Sequence, residues 1–257
     1  MTTCTIMNSD KKLNRILYRV VPAVLFLFLW QFTALFFSPL VVPPIPAVFQ
    51  RLLEIITSKK FCPTISVTLF RLIAGLGIGI FVGSVIGLIF GVSRKIEIMF
   101  TPFIDILQTV PPVSWVVLAL VWFGFNGKPC IFIVATATIP SMIINLCNGI
   151  RGIDSELLEM AHLYHFSKWK ILRHIILPSI APYFHSALEI VIGSGWKLVV
   201  MGEVLTTSTG IGGAITTARL NVEPDTIIAW AVLLVLFCFI IKKLLCLLIR
   251  RKDRIVC

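Results

Sequence analysis

Long apolar stretches separated by short polar ones run the length of this chain, and many are too long for a soluble fold. A bilayer core is crossed by about 20 consecutive apolar residues in a helix. Six stretches approach or exceed that length: Ile16–Phe37, Val67–Phe90, Ile98–Phe123, Cys130–Leu146, Ile180–Leu205 and Ile227–Ile249. The fourth is short and the fifth carries charges. The pattern predicts an all-α membrane protein of about six transmembrane helices, forming a single membrane domain over 1–257. The first stretch is basic in front, at Lys11, Lys12, Arg15 and Arg19, as a secretory leader would be. Its apolar part is too long for a leader, and Ser38-Pro39 follows where a small-x-small cleavage site would stand, so a retained anchor is expected.

The segments between the spans have their own patterns. Val41-Val42-Pro43-Pro44-Ile45-Pro46 is followed by apolar residues at helical spacing over Ala47–Thr57, which predicts a short surface helix. In the second span Gly75, Gly79, Gly83, Gly87 and Gly91 recur every four residues, with Gly77 added. Such a strip lets a second helix approach closely, the way helices associate in lipid. The third span is interrupted by Pro111-Pro112, a pair that removes backbone donors and kinks a helix. Within lipid, such a break is tolerated only against protein or a water-filled cavity. Asp105, Gln108 and Thr109 lie just before it. Asp105 either faces a polar interior or stays wet near the span end.

Arg151 to Pro178, between the fourth and fifth spans, is the longest stretch expected on the cytoplasmic side. It reads as two short helices. Asp154 caps the first, with Glu156 in its first turn and Glu159-Met160-Ala161 further along. Ser167 caps the second, which is expected to stop at Pro178, and His165 lies in the turn between them. Met160, Leu163, Tyr164, Phe166 and Trp169 crowd this stretch, as a docking surface would require and a plain loop would not.

Composition fits the apolar pattern. The chain is 58% hydrophobic and 14% charged, with a mean hydropathy of +0.98. A soluble domain could not clothe that much apolar surface. The net charge of +11 would suggest nucleic acid in a soluble protein, but here it follows the positive-inside rule. With the first residues inside, Lys11, Lys12, Arg15, Arg19, Arg94, Lys95, Arg151, Lys168, Lys170, Arg173, Lys242, Lys243, Arg250, Arg251, Lys252 and Arg254 fall on the inner side. Arg51, Lys59, Lys60, Lys128 and Arg219 fall outside, while Arg71 and Lys197 lie within or near spans. Both termini are therefore expected in the cytoplasm, and nucleic acid is not needed to explain the charge. Cys4, Cys62, Cys130, Cys147, Cys238, Cys246 and Cys257 make no CxxC pair. Cys62 and Cys130 are the two on the expected outer side, where a bridge is conceivable; small apolar fillers are the simpler reading.

Glu159-Met160-Ala161…His165…Ile176-Leu177-Pro178 resembles the EAA loop of bacterial ABC importer permeases, which reads E-A-A, then a glycine four residues on, then I-x-L-P or I-L-P. Thr68-Leu69-Phe70-Arg71 before the glycine strip, Pro102-Phe103…Val110-Pro111-Pro112 and Trp122-Phe123-Gly124 are similar to the nitrate/sulfonate/taurine-type branch of that family. So are Gly195-Trp196…Glu203 and Gly210-Ile211-Gly212, and the likeness runs from about Pro43 to Ile249. Two departures stand in the loop: Met160 replaces the central alanine, and His165 replaces the glycine. A glycine there suits a helix C-cap with positive φ, and histidine is among the other residues enriched in that conformation.

The resemblance implies a type I ABC importer permease in the cytoplasmic (inner) membrane. It implies two permease chains around a path, an external solute-binding protein, and cytoplasmic ABC ATPase subunits that hold ATP and Mg. No cofactor is expected in this chain, which has no G-x-x-x-x-G-K-[ST] phosphate loop and is not expected to be an enzyme. Glu159, Met160, Ala161, His165, Ser167 and Pro178 would form the ATPase-docking coupling loop, with Ala161 small so that the partner can approach. Candidate path residues are Asp105, Gln108, Glu189, Lys197 and Glu203. Glu189, Gly193 and Lys197 lie at i, i+4 and i+8, along one helix face. The alternative is a secondary transporter or channel using Glu189 and Lys197, although no inverted repeat is apparent. The substrate candidates are nitrate, sulfonates, taurine, or a vitamin or precursor such as the thiamine pyrimidine or riboflavin.

Overall fold

The computed structural model describes Tyr18, residues 21–22 and residues 24–253. Among the described residues the regular structure is helical throughout. In chain order the helices are α1 (Val24–Phe36), α2 (Ile45–Thr57), α3 (Phe61–Val92), α4 (Arg94–Thr109), α5 (Pro112–Phe123), α6 (Lys128–Arg151), α7 (Ser155–Leu163), α8 (Lys168–Ile171), α9 (Leu177–Thr206), α10 (Gly210–Leu220) and α11 (Pro224–Asp253). Four are long and apolar enough to cross a bilayer: α3, α6, the run Lys168–Thr206, and the Pro224–Ile241 part of α11. The α4–α5 pair makes a fifth if its halves count as one span. Of the expected first span, Ile16–Phe37, the apolar helix Val24–Phe36 is described, while residues 16–17, 19–20 and 23 lie outside the described set.

The chain divides into two compact units. The first comprises the residues up to Ser58 together with Ala218–Ala231. Here Trp30 Nε1 donates to the Pro43 carbonyl at 3.1 Å, and Gln31 Oε1 accepts from the Ile45 amide at 3.2 Å, which fixes the entry to α2. Arg51 joins α2 to the start of α11 by an ion pair with Asp225 at 2.9 Å, and pairs with Glu54 at 2.9 Å. The surface helix expected over Ala47–Thr57 is present, starting slightly earlier with Pro46 in its first turn, where a proline costs nothing.

The second unit, residues 59–217 and 232–257, carries the remaining spans. Its central element is α6: 61% of its apolar window is buried, against 33% or less for the other three single spans. The glycine strip of α3 lies against it. A Cβ at Gly75 would sit 2.7 Å from Val134 Cβ, one at Gly79 2.8 Å from Thr138 Cγ2, and one at Gly83 2.7 Å from Met142 Cβ. Further along, Gly87 faces Ile143 and Leu146, and Gly91 faces Ile150. The two helices therefore run together over most of their length with backbones close, because no side chain stands between them.

Two breaks differ from the sequence expectation. The third span does not merely kink: α4 and α5 meet at 94°. Residues preceding proline are forced into extended backbone. Val110 (ψ 124) and Pro111 (ψ 138) both adopt it, so two consecutive non-helical residues turn the chain. The helix capped by Ser167 does not stop at Pro178. It continues as one 39-residue helix, Lys168–Thr206, through a π turn at Leu172–Ile176. The wider π winding immediately before Pro178 accommodates a residue that would clash with its i−4 carbonyl in an unbroken α-helix.

Candidate functional site

Contacts within the second unit define two ends. At one, Arg151 at the end of α6 pairs with Glu97 in the first turn of α4, above a buried cluster of Phe90, Ile104, Ile143 and Cys147. Gly149 of α6 and Gly152, which caps its C-terminus, receive Tyr183 of α9 at the same level. At the other end α9 finishes against α3, α6 and α10.

The Glu203 end is built on a buried ion pair. Arg71 of α3 donates to Glu203 Oε1 at 2.7 Å, and the Glu203 side chain has no exposure. Thr68, one helical turn before Arg71, donates its hydroxyl to the same carboxylate (2.9–3.0 Å) and accepts the Ile211 amide at 2.8 Å. The Gly212 amide donates to Glu203 Oε2 at 3.0 Å, so the carboxylate sits at the N-terminus of α10, where the helix dipole favours negative charge. Arg71 also donates to the Thr209 carbonyl at 3.0 Å and to its hydroxyl at 2.7 Å. Gly210 has φ 86, and any Cβ there would collide with the Glu203 carboxylate. This network ties α3, α9 and α10 together. Truncating one partner of such a pair costs about 3–5 kcal/mol, because it leaves the other charge buried and unmatched. Glu203 is thus enclosed by protein and spoken for by its neighbours. The pieces Thr68–Arg71, Glu203 and Gly210–Gly212 are all visible in the sequence, but nothing local announces a contact across 132 residues.

Halfway along, the 94° break opens a cavity of ≈ 310 Å³. Its polar lining comes from Gln108 of α4, Thr136 and Ser141 of α6, and Ser194 of α9. Trp115 of α5 also lines it, and the Trp115 indole N–H is buried without a hydrogen-bond partner. The α9 residues that line the cavity are Ile190, Ser194 and Leu198; Glu189 and Lys197, on the neighbouring stripe of the same helix, are not part of the lining. Both are exposed, and neither has an ion-pair partner among the described residues. Asp105 is exposed one turn before Gln108. Of the candidate path residues, Gln108 alone lines this cavity; Asp105, Glu189 and Lys197 are exposed and outside its lining, and Glu203 stands apart in the buried network.

Beyond the Arg151 end, α7 and α8 make a tight corner. Asp154 accepts from the Glu156 amide at 2.9 Å and Ser167 from the Lys170 amide at 3.4 Å, so both expected caps are in place. The corner closes with the Phe166 amide on the Ala161 carbonyl (2.9 Å) and the His165 amide on the His162 carbonyl (3.0 Å), a Schellman pattern. His165 has φ 51, the left-handed conformation expected where the EAA loop carries glycine. The corner exposes Leu163 (78%), Trp169 (69%), Tyr164 (68%) and Met160 (47%). Glu159, Ser167 and Pro178 are exposed as well. Ala161 differs from expectation. It is fully buried within its own chain, so its small size serves packing beneath α7 instead of leaving room for a partner. Cys62 and Cys130 are both free, one exposed and one buried, without a bridge between them.

The profile of a family described as "Binding-protein-dependent transport system inner membrane component" matches residues 75–254. The taurine transport system permease protein of Escherichia coli (strain K12) is 25% identical over 226 residues, 86% of this chain and 82% of that protein. The bicarbonate transport system permease protein of Synechococcus elongatus is 30% identical, over 63% of this chain and 59% of that protein. The nitrate import permease protein of the same species is 31% identical, over 61% and 56%. The chain spans about 59–66% of the length of the first curated relatives it matches. Among solved structures, a chain of a bacterial ABC transporter involved in the import of the acidic polysaccharide alginate aligns over 95% of this chain and 98% of its own, with a TM-score of 0.65 at 16% identity. A chain of an inward-facing methionine ABC transporter aligns over 76% and 99%, with a TM-score of 0.60 at 18% identity. At these identities the likeness is one of fold alone, an all-α membrane-helix arrangement.

Proposed function

We propose, on the premise that this chain belongs to the family of binding-protein-dependent transport system inner membrane components, that it is the membrane-spanning permease subunit of an ATP-driven importer of small solutes. An external binding protein delivers the solute. Two copies of the chain, set side by side in the lipid of the inner membrane, enclose the path between them. ATP is bound with Mg and hydrolysed in separate cytoplasmic ATPase subunits. Both termini and the α7–α8 corner face the cytoplasm, on the side favoured by the lysines and arginines. The Glu203 end then faces outward.

The observation that carries this reading is the α7–α8 corner. A nine-residue helix held by an Asp154 cap and a Schellman turn is rigid, yet it exposes Leu163, Tyr164 and Trp169 to water. Large apolar side chains on so well-fixed a surface are costly unless a partner covers them. The partner of stated chemistry is the ATPase, whose closing would push on this corner. A second observation supports the shared path. Glu189 and Lys197 are unpaired on an open face of a spanning helix, where lipid would be a poor solvent. A second copy and a watery path solve that problem.

The solutes named for the relatives, taurine, nitrate and bicarbonate, set the candidates here, alongside sulfonates and vitamin precursors. A gradient-driven carrier would also use Glu189 and Lys197, but it has no use for the exposed corner. Purification of the tagged chain in mild detergent separates the two. The expected result is an ATP-hydrolysing subunit retained with the chain and released when Trp169 and Leu163 are changed to Ser. Solute accumulation in liposomes holding this chain alone would overturn the proposal.

A further inference from the structure

We infer that the cavity beside Arg71, at the Glu203 end of α3 and α6, is a binding site for an anionic phospholipid, its headgroup phosphodiester against Arg71 and Lys128 and an acyl chain along α3. This requires that α3 and α6 cross a bilayer and is independent of the transported solute.

The cavity has a volume of ≈ 560 Å³ and lies between α3 and the start of α6. Its free donors are cationic. Ser66 and Asn126 line it, but the Ser66 hydroxyl donates to the Cys62 carbonyl and the Asn126 amide to the Phe123 carbonyl. Arg71 is different. Its bonds to Glu203 and Thr209 all leave from Nη1 and Nη2, so the Nε–H edge makes no hydrogen bond. That edge lies against Gly127, where a Cβ would collide with it, and both residues line the cavity. A bare backbone at 127 thus leaves the guanidinium edge open to a ligand, although the Arg71 side chain is only 10% exposed. Lys128 is exposed at the rim and has no ion-pair partner among the described residues.

Charge then selects the headgroup. Glu203 balances Arg71, and no carboxylate lines the cavity, so Lys128 leaves one positive charge unmatched. A phosphodiester carries one negative charge and two free oxygens, one for each of these donors. A zwitterionic headgroup would bring an ammonium for which the lining offers no carboxylate.

The apolar lining decides for a lipid over a free anion. Val67, Phe70 and Ile131 complete the cavity wall, and a hydrated anion gains nothing from them. The apolar surface continues away from the cavity. Phe70, Ile73, Gly77 and Phe81 follow at i, i+3, i+7 and i+11 on one face of α3, all exposed, and a Cβ at Gly77 would meet nothing within 4 Å. From Phe70 to Phe81 is about 16 Å along the helix axis, close to half of a ~30 Å hydrocarbon core and so the depth of one leaflet. The apolar stretches Val67–Phe90 and Cys130–Leu146 both begin at the level of the cavity, where phosphates meet hydrocarbon.

The test is native mass spectrometry of the full chain, purified in mild detergent and stripped of lipid. Dioleoyl phosphatidylglycerol, dioleoyl phosphatidylcholine or inorganic phosphate is then added. The first phosphatidylglycerol is expected to bind at least about fivefold tighter than phosphatidylcholine. Lys128→Gln should bring the two lipids to parity, and Lys128→Arg should keep the preference. Phe70→Ser should weaken both lipids. Lys59→Gln, at an exposed lysine outside the cavity, should change nothing. The lipid-free melting temperature of each variant is recorded alongside and is expected to match the parent, so that lost binding reads the site and not the fold. A preference that survives Lys128→Gln overturns the inference. So does one that Lys59→Gln removes equally, because it would be the general pull of a basic surface. Displacement of phosphatidylglycerol by an equal concentration of inorganic phosphate also overturns it, in favour of a free-anion site.

Discussion

At the scale of single residues, His165 shows how one backbone angle constrains chemistry. Its φ of 51 lies where an L-residue is disfavoured by about 1–2 kcal/mol. The Schellman bonds of Phe166 and His165 hold it there. His165→Gly should leave the corner intact and the melting temperature unchanged or slightly higher. His165→Val should destabilise by about 1–2 kcal/mol, because a β-branched side chain resists positive φ. Thermal melts of the detergent-purified chain, with ATPase retention alongside, check this; a Val variant as stable and as well docked as the Gly variant would sink it. That angle was legible in advance, since a cap and a glycine-like position bracket it. Ala161 was not. In a nine-residue helix the phase of the buried face depends on what lies beneath, and the sequence carries no sign of that. The Arg71–Glu203 pair was illegible for a different reason: its partners sit on separate helices, and each alone reads as a stray charge in a span.

At the scale of helices, apolar runs and the glycine period carried most of the information. The α3–α6 contact has no room for a side chain. A Cβ at Gly83 would lie 2.7 Å from Met142 Cβ and 2.9 Å from the Ile139 carbonyl oxygen, and that oxygen is backbone that cannot rotate away. Gly83→Leu should therefore cost at least the 1–3 kcal/mol (about 2) typical of overpacking and lower the yield of assembled protein. Gly77→Leu, with open space around its Cβ position, is the control and should be nearly neutral. Equal melting temperatures for the two variants would contradict the packing account. Prolines were less informative than glycines. Pro111-Pro112 announces a break but not its angle, which is set by where α6 lets α5 lie. Pro178 announces a stop that the π turn cancels, because one extra residue per turn moves the clashing carbonyl aside.

At the scale of the whole molecule, the orientation proposed from the basic residues makes a direct prediction. A cysteine placed at Lys168, in the exposed α7–α8 corner, should resist a membrane-impermeant maleimide in intact cells and react once the membrane is opened. A cysteine at Asn126, beside the Glu203 end, should react in intact cells. The reverse pattern would invert the chain. The orientation in turn gives meaning to the unbroken helix Lys168–Thr206. At about 1.5 Å per residue it is a rod of about 58 Å, with Trp169 at one end, Ser194 partway along and Glu203 near the other. No loop interrupts it to absorb movement. A torque delivered to Trp169 is either taken up as winding in the π turn or arrives whole at the cavity and at the clasp around Glu203. On the proposed reading, the drive surface, the solute chamber and the outer latch are stations on one shaft, and their timing is a matter of gearing instead of signalling.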